Sequence, residues 1–202
     1  LYETFLQPTD DLRNHAYLTY DNALVCFALR ALADFLDRPE LAERAKKTRE
    51  AVYRHCVKER DGRRFFAWSV DLEGRYDIYD EPPGSLQLLP FYDFCTMDDP
   101  VWKNTVAMIR DKDYPLSFAG HPIAEIGCRH APHPWVLSIC NSRLSGNADS
   151  ALTHLHRTRM DNGIACESVN EDTGVCETGE AFATCAGFLS YALYCACFSQ
   201  GG

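Results

Sequence analysis

Apolar residues recur every three or four positions over most of the chain, which predicts a mainly α fold. The clearest amphipathic helix covers residues 23–36, and Asp21 or Asn22 could serve as its N-cap. Pro39 and Glu40 suit the first turn of a second helix, which continues to about residue 57. Five further helices are predicted over residues 84–94, 100–109, 134–144, 148–157 and 181–198.

A short β-hairpin interrupts this helical pattern. Residues 65–70 and 76–79 are rich in aromatic and β-branched side chains and flank Glu73 and Gly74, which favours two strands joined by a turn. Two long loops are predicted over residues 111–133 and 161–179. Loops of this length in a compact protein usually carry function.

The composition is that of a globular protein. The chain has 202 residues, 46% apolar and 24% charged, with a net charge of −9. At this size a single domain can bury a sizeable core without disulfides. Lys and Arg cluster only over residues 44–49 and 58–64, among acidic side chains. We therefore expect neither nucleic acid nor an anionic membrane as a partner.

Ten cysteines are present, and no two of them have Cys-x-x-Cys spacing. Half of them lie in apolar helical runs, where a thiol acts as a small hydrophobe. Their even number leaves a disulfide framework open, but reduced thiols in a cytoplasmic protein fit the pattern better. Residues 181–202 lack charge, yet their Ser, Thr, Tyr, Gly and Ala content favours a buried helix over a membrane span.

Two pairs of adjacent acidic residues are candidates for chemistry. Asp10 and Asp11 follow Pro8, and Asp80 and Glu81 leave the predicted hairpin before a helix start. Each pair also has a structural explanation, because acidic residues cap helices, complement the helix dipole or form solvated turns.

Two further groups lie in the predicted long loops or directly after them. His130, His133 and Trp135 stand just before a predicted helix and suit a ligand pocket, although packed loop residues would look the same. The two His residues lack an obvious third ligand, so no metal site is predicted. Glu167 follows Ala165 and Cys166, a setting that is less polar than that of an ordinary surface charge.

Aromatic, acidic and imidazole side chains at loop ends are typical of carbohydrate sites. Sugar C–H faces stack on aromatic rings, and sugar hydroxyls bind carboxylates and imidazoles. Two carboxylates from distant loops could then act as acid and base at a glycosidic bond. The sequence contains no phosphate-binding loop, nucleophile elbow or dinucleotide fingerprint, and no cofactor is predicted.

Six motifs carry a family resemblance by their order and spacing: residues 5–11, 17–22, 66–71, 80–90, 130–135 and 165–168. Together they resemble the C-terminal half of glycoside hydrolase family 125, the metal-independent exo-α-mannosidases. The resemblance extends from about residue 5 to about residue 195. It implies part of an (α/α)6 barrel, a toroid of paired helices with the active site in loops at one end.

The resemblance also implies inverting hydrolysis of a terminal α-linked mannose, with an α-1,6 linkage in a mannose-containing oligosaccharide. The family's acid falls on Asp10 or Asp11, and its base falls on Glu167. The mannose subsite would comprise Asp80, Glu81, His130, His133 and Trp135. Ala131 and Cys166 depart from the family's usual Thr and His, so the linkage could differ.

The number of predicted helices bears on domain organisation. An (α/α)6 barrel has six helix pairs, and seven helices are predicted here. We therefore expect residues 1–202 to be one domain that forms the C-terminal half of a longer catalytic domain, with apolar helix faces exposed. Two alternatives stay open: an inactive carbohydrate-binding or scaffold domain, and an (α/α)6 sugar epimerase that uses His130 and His133 as acid and base.

Overall fold

The computed structural model describes residues 1–160 and 162–198. Asp161, which opens the predicted loop over 161–179, and residues 199–202, which end the uncharged C-terminal segment, lie outside the described residues. The chain forms two compact units. The first comprises Leu1–Asp80 and Gly84–Ala107, and the second comprises Glu81–Pro83 and the chain from Met108 onward.

Two helices joined by a short turn pack against each other in the first unit, α1 (Thr19–Leu36) and α2 (Pro39–His55). Asp37 takes a left-handed φ of 51° after α1, and its N–H donates to the Ala33 carbonyl. Pro39 occupies the first turn of α2, as predicted.

The start of α1 differs from the prediction. The helix begins at Thr19, and no side chain caps it, so neither Asp21 nor Asn22 is the N-cap. The Thr19 N–H instead donates to the Trp68 carbonyl at 2.9 Å. Asn22 lies within the first turn and donates back to the Leu18 carbonyl at 2.8 Å. Because the partner of Thr19 is remote in sequence, local pattern could not reveal it.

Five short strands belong to this unit: β1 (Tyr17–Leu18), β2 (Val57–Arg60), β3 (Arg63–Phe66), β4 (Ser69–Val70) and β5 (Tyr76–Asp77). The order β1-β4-β5 forms an antiparallel sheet, and the β4–β5 pairing confirms the predicted hairpin. The hairpin β2–β3 was not predicted, because its sequence is mostly charged. Asp61 and Gly62 turn it with φ values of 53° and 71°, the left-handed geometry that suits a two-residue turn.

The predicted helix over residues 84–94 is wrong. The chain forms only short 3₁₀ turns at Pro82–Gly84 and Leu86–Leu88. Pro90 lies within the predicted span, and a proline there removes a helical N–H and clashes with the preceding turn. Leu86, Leu88 and Phe94 are nevertheless buried.

The next helix, α3 (Pro100–Ile109), has the predicted bounds. The Asp99 carboxylate accepts the Val101 N–H at 2.8 Å and so satisfies the helix start. An aromatic cluster of Tyr53, Phe66 and Phe94 forms part of the core of the first unit, with ring centroids 5.3–6.1 Å apart.

The second unit contains three helices that the sequence predicted to within two residues at each end: α4 (Val136–Leu144), α5 (Ala148–Arg157) and α6 (Ala183–Phe198). Helix α4 packs against both α5 and α6. Two strands that were not predicted, β6 (Ser168–Val169) and β7 (Cys176–Thr178), pair antiparallel in this unit.

A buried carboxylate organises the polar interior of the second unit. Glu125 is fully buried, and its Oε2 accepts the hydroxyls of Ser138 (2.7 Å) and Ser142 (2.8 Å) from α4. Its Oε1 lies 2.7 Å from His154 Nδ1 on α5, and the Arg110 guanidinium lies 3.4 Å from Oε2. These partners compensate the charge that burial would otherwise penalise.

Helix α1 presents an apolar face to solvent. Phe35 is 84% exposed, and Phe27, Leu32 and Leu36 are also exposed. No helix in the part of the chain that the structure describes is long and apolar enough to cross a membrane. All ten cysteines are free thiols.

Candidate functional site

The first predicted acidic pair lies on a tight loop in the first unit. Leu6 and Leu12 form an antiparallel bridge at its base. Inside it, the Gln7 N–H donates to the Asp11 carbonyl (2.8 Å), and the Asp10 N–H donates to the Gln7 carbonyl (2.9 Å). We call residues Leu6–Leu12 the acid loop. Its backbone bonds fix the direction in which both carboxyl groups leave the chain.

The two acidic side chains of the acid loop have different surroundings. Asp10 is exposed and takes a φ of 63°, a left-handed conformation that Asp tolerates better than most residues. Asp11 is half-buried, and its Oδ2 accepts the Thr9 hydroxyl at 3.1 Å. Asp10 therefore has the more exposed carboxyl group, whereas that of Asp11 is held by a hydrogen bond.

Two remote residues hold the acid loop in place. The indole N–H of buried Trp68 donates to Gln7 Oε1 at 2.8 Å. Gly84 lies so close to the Pro8 ring that a Cβ at this position would stand 2.5 Å from Pro8 Cγ and 2.9 Å from Tyr20 Cδ1. Glycine is therefore required at position 84 for the loop to keep its place.

Asp80, a predicted subsite residue, is fully buried in the first unit. Its Oδ2 accepts the Ser85 hydroxyl (2.7 Å), and its Oδ1 accepts the Leu86 N–H (2.8 Å). These bonds stabilise the turn in which Gly84 packs against Pro8. In this structure Asp80 supports the acid loop through that turn, and a direct contact with mannose stays a prediction.

The predicted base, Glu167, lies in the second unit and is 9% exposed. Its Oε2 accepts the Thr178 hydroxyl at 2.7 Å. Its backbone N–H donates to the carbonyls of Thr178 (3.2 Å) and Gly179 (3.0 Å), and its own carbonyl accepts the Val136 N–H at 3.1 Å. A fixed carboxylate of this kind can accept a proton from a water molecule or hold a sugar hydroxyl.

Glu81 and Glu167 both act on one thiol in the second unit. Burial, above all, raises the pKa of Cys128 to about 12, and the negative charges of Glu81 and Glu167 contribute to this rise. The two carboxylates are thus close enough to Cys128 for their charges to act on it. A thiol with this pKa stays protonated at neutral pH, which disfavours Cys128 as a nucleophile.

Trp135 and His130 lie together in the second unit. Their ring centroids are 6.4 Å apart in an edge-to-face arrangement, and His130 is exposed while Trp135 is 2% exposed. The Trp135 indole N–H donates to the Ala131 carbonyl at 3.0 Å. Trp135 also forms a β-bridge with Ser168, the neighbour of Glu167. The indole therefore supports the His130 turn beside the predicted base.

His133 has a different environment from His130. Its Nδ1 lies 2.9 Å from Glu171 Oε2, and its ring stacks on Phe118 with the centroids 6.4 Å apart. Burial alone would raise the pKa of Glu171, but the hydrogen bond to His133 and the nearby imidazoles hold it below its ordinary value. His133 and Glu171 therefore anchor each other, and a sugar contact by His133 stays a prediction.

Sequence reasoning missed several residues that shape these surroundings. Thr178 could not be predicted as a partner of Glu167, because a single Thr in a turn-rich segment is common. The β6–β7 register brings it to Glu167. Gly84 was noticed only as part of a motif. Among residues 1–160 and 162–198, no group of three or more His, Cys, Asp or Glu side chains is arranged to hold a metal ion.

Comparison with solved structures identifies the fold. A Streptococcus pneumoniae protein from a family of metal-independent α-mannosidases, solved in a non-productive complex with α-1,6-mannobiose, matches with a TM-score of 0.78 and 21% sequence identity. The match covers 95% of this chain and 50% of that protein, so the chain spans about half of its length. This similarity confirms the predicted mainly α fold with small sheets, related to part of an (α/α)6 barrel.

Comparison with curated proteins found no match. A family profile described as metal-independent α-mannosidase (GH125) matches residues 1–193, close to the span that the sequence motifs had indicated. The epimerase alternative has no comparable support. The chain therefore belongs to glycoside hydrolase family 125.

Proposed function

We propose that the full-length protein is an exo-acting α-mannosidase that removes a terminal α-linked mannose by inverting hydrolysis. The observation that carries this proposal is the family match over residues 1–193. The mechanism needs two carboxyl groups. The proposal is supported by Glu167 and by the acidic pair Asp10 and Asp11, each on a segment held by specific backbone hydrogen bonds.

Glu167 is the general base in this proposal. An inverting glycosidase uses one carboxylate to deprotonate the water that attacks the anomeric carbon. Thr178 occupies Oε2 of Glu167, and Oε1 receives no hydrogen bond from the residues that the structure describes. The unoccupied oxygen is the one that would accept the proton of the attacking water.

Asp10 or Asp11 is the general acid in this proposal. The acid must reach the glycosidic oxygen and deliver a proton as the bond breaks. The exposed carboxyl of Asp10 is sterically available for this task, while Asp11 is restrained by Thr9. Either residue would donate the proton to the leaving sugar, and the Asp10→Asn and Asp11→Asn variants distinguish them.

The mannose subsite is proposed to comprise Asp80, Glu81, His130, His133 and Trp135. The exposed imidazole of His130 would bind a sugar hydroxyl directly. The hydrogen bonds and burial of Asp80, His133 and Trp135 favour a supporting role for these three.

The proposed linkage is α-1,6. The solved S. pneumoniae relative was obtained with α-1,6-mannobiose, and the substrate of this protein would be a mannose-containing oligosaccharide. The departures from the family pattern at Ala131 and Cys166 concern buried side chains. They would therefore alter the support of the site rather than its sugar-facing surface.

One experiment tests activity and stereochemistry together. The full-length protein is incubated with α-1,6-mannobiose, and the first-formed mannose is observed by NMR before mutarotation. Inversion predicts that the mannose cleaved from the non-reducing end is released as the β anomer, whereas retention predicts the α anomer. A Glu167→Gln variant should lose turnover by several orders of magnitude, and a chelator should leave the wild-type rate unchanged. Full activity of the folded Glu167→Gln variant would contradict the assignment of the base.

An inactive carbohydrate-binding domain is the second candidate. It is favoured only by the fact that the chain spans about half of the solved relative. Calorimetry with mannobiose distinguishes the two functions, because a binding domain gives heat of binding without release of mannose.

The remaining proposals concern organisation and location. We propose that residues 1–202 belong to one (α/α)6 catalytic domain, in which further helices cover the exposed apolar face of α1.

A cytoplasmic location is proposed from the ten thiols, because disulfides are rare in the cytoplasm. Fractionation of the source cells, followed by detection of the protein, tests the location.

A further inference from the structure

We propose that Thr178 is a positioning residue for Glu167, and that Ser168 directs the Thr178 hydroxyl toward that carboxylate. This inference rests on the proposed role of Glu167 as general base. The three side chains form a short chain: Thr178 Oγ1 lies 2.7 Å from Glu167 Oε2, and Ser168 Oγ lies 2.6 Å from Thr178 Oγ1.

The number of hydroxyl protons sets the donor and the acceptor of each of these two hydrogen bonds. An ionised carboxylate can only accept hydrogen bonds, so Thr178 must donate its single hydroxyl proton to Glu167. The Thr178 oxygen is then left as an acceptor, and the Ser168 hydroxyl must donate to it. The order of donation is therefore Ser168 to Thr178 to Glu167, and each hydroxyl has one defined orientation.

The β6–β7 pairing builds the contact. Ser168 and Thr178 are cross-strand partners in the register, which places both hydroxyls on one side of the pair. Gly179 follows with a φ of 61°, and a Cβ there would come within 2.5 Å of Glu167 Cβ. The backbone of 178–179 can therefore approach Glu167 closely and accept its N–H.

This arrangement holds one oxygen of the carboxylate and leaves the other for chemistry. A carboxylate free to rotate would present either oxygen to water in many orientations. Fixing Oε2 reduces that freedom before the reaction begins, which lowers the entropic part of the barrier. The expected signature is a change in kcat without an equal change in KM, because Thr178 does not contact the sugar in this scheme.

The test compares Thr178→Val with Thr178→Ser in the full-length protein. Valine keeps the shape of threonine but removes the hydroxyl, and serine keeps the hydroxyl. Loss of one hydrogen bond to a charged group should lower kcat about 10- to 100-fold in Thr178→Val. Thr178→Ser should recover most of the rate. Ser168→Ala should give an intermediate loss, because Thr178 then lacks its directing donor.

A double mutant separates positioning from a structural role. In a Glu167→Gln background, Thr178→Val should lower the residual rate no further, since the hydroxyl acts only through the carboxylate. A further loss in that background would overturn the proposal, as would wild-type kcat in Thr178→Val or equal losses in the Val and Ser variants. If Glu167→Gln itself were fully active, the proposed base would be wrong instead. The two failures are therefore distinguishable.

Discussion

The ring of Pro8 lies directly against the α-carbon of Gly84, with no room for a side chain between them: a Cβ on residue 84 would be 2.5 Å from Pro8 Cγ. Two segments that are far apart in sequence can thus pack together because Gly84 has no side chain. The acid loop that carries Asp10 and Asp11 takes its position from this contact.

Gly84→Ala should therefore displace the acid loop and lower kcat. Overpacking of this kind costs about 1–3 kcal/mol of stability, which denaturant unfolding measures. Gly187→Ala is the matched control, because nothing lies within 4 Å of a Cβ at that helical position. The control should fold at least as stably as the wild type and keep its activity. Equal behaviour of the two variants would contradict the positioning role of Gly84.

Asp10→Asn and Asp11→Asn should separate the acid from its neighbour. Removing a general acid costs about 10²- to 10⁴-fold in rate, mainly with substrates whose leaving group needs a proton. The acid variant should therefore lose turnover of α-1,6-mannobiose but retain much of it with a dinitrophenyl α-mannoside. The other Asn variant should affect both substrates alike. Two variants with identical substrate dependence would leave neither residue as the acid.

Trp68→Phe should loosen the acid loop by removing the donor to Gln7 while an aromatic ring stays in the core. The lost hydrogen bond contributes about 0.5–1.5 kcal/mol, and the smaller ring adds a packing loss. A double-mutant cycle with Gln7→Leu isolates the pair, because the two losses should be less than additive if the residues interact. Strict additivity in unfolding free energy would show that the 2.8 Å contact contributes nothing.

Glu171→Gln should change the pH dependence of stability. The pKa of Glu171 lies below its ordinary value in the folded protein, so the ionised carboxylate favours folding. This contribution is full above the ordinary pKa and is lost as pH falls through the lowered value. Glu171→Gln should therefore cost about 0.2–1 kcal/mol near pH 6, as expected for a partly exposed pair. The two proteins should converge in strongly acidic solution.

The matched control for this prediction is Glu180→Gln, which changes an exposed glutamate in the same region. Its stability should follow the wild type across the pH range, as measured by urea unfolding at each pH. A Glu171→Gln deficit that grew on acidification would contradict the direction of the effect.

Local sequence pattern predicted those elements whose signals are local. Helix α3 was predicted with its bounds, and α4, α5 and α6 to within two residues, because apolar periodicity and Pro100 mark them directly. The helix over 84–94 was wrong because Pro90 interrupts the span, and the chain forms only short 3₁₀ turns there. The start of α1 was missed because the carbonyl of Trp68 replaces a side-chain cap.

The same difference between local and long-range signals applies to the candidate site. Its acidic and aromatic residues were recognisable as motifs, but their supports depend on long-range register. No residue near Thr178 in the sequence indicates a carboxylate 2.7 Å away. The bonds of Asp80 to Ser85 and Leu86 could not be predicted either, because the pattern predicted a helix over residues 84–94. Glu125 lay inside a predicted loop, although it organises the interior of the second unit.

The seven buried thiols can be used to measure how each unit unfolds. Cys26, Cys56 and Cys95 are buried in the first unit, and Cys128, Cys140, Cys166 and Cys185 are buried in the second. A buried thiol reacts with an alkylating reagent only when its surroundings open. Mass spectrometry of alkylated peptides after timed exposure would therefore give separate opening rates for each unit, with no label to engineer.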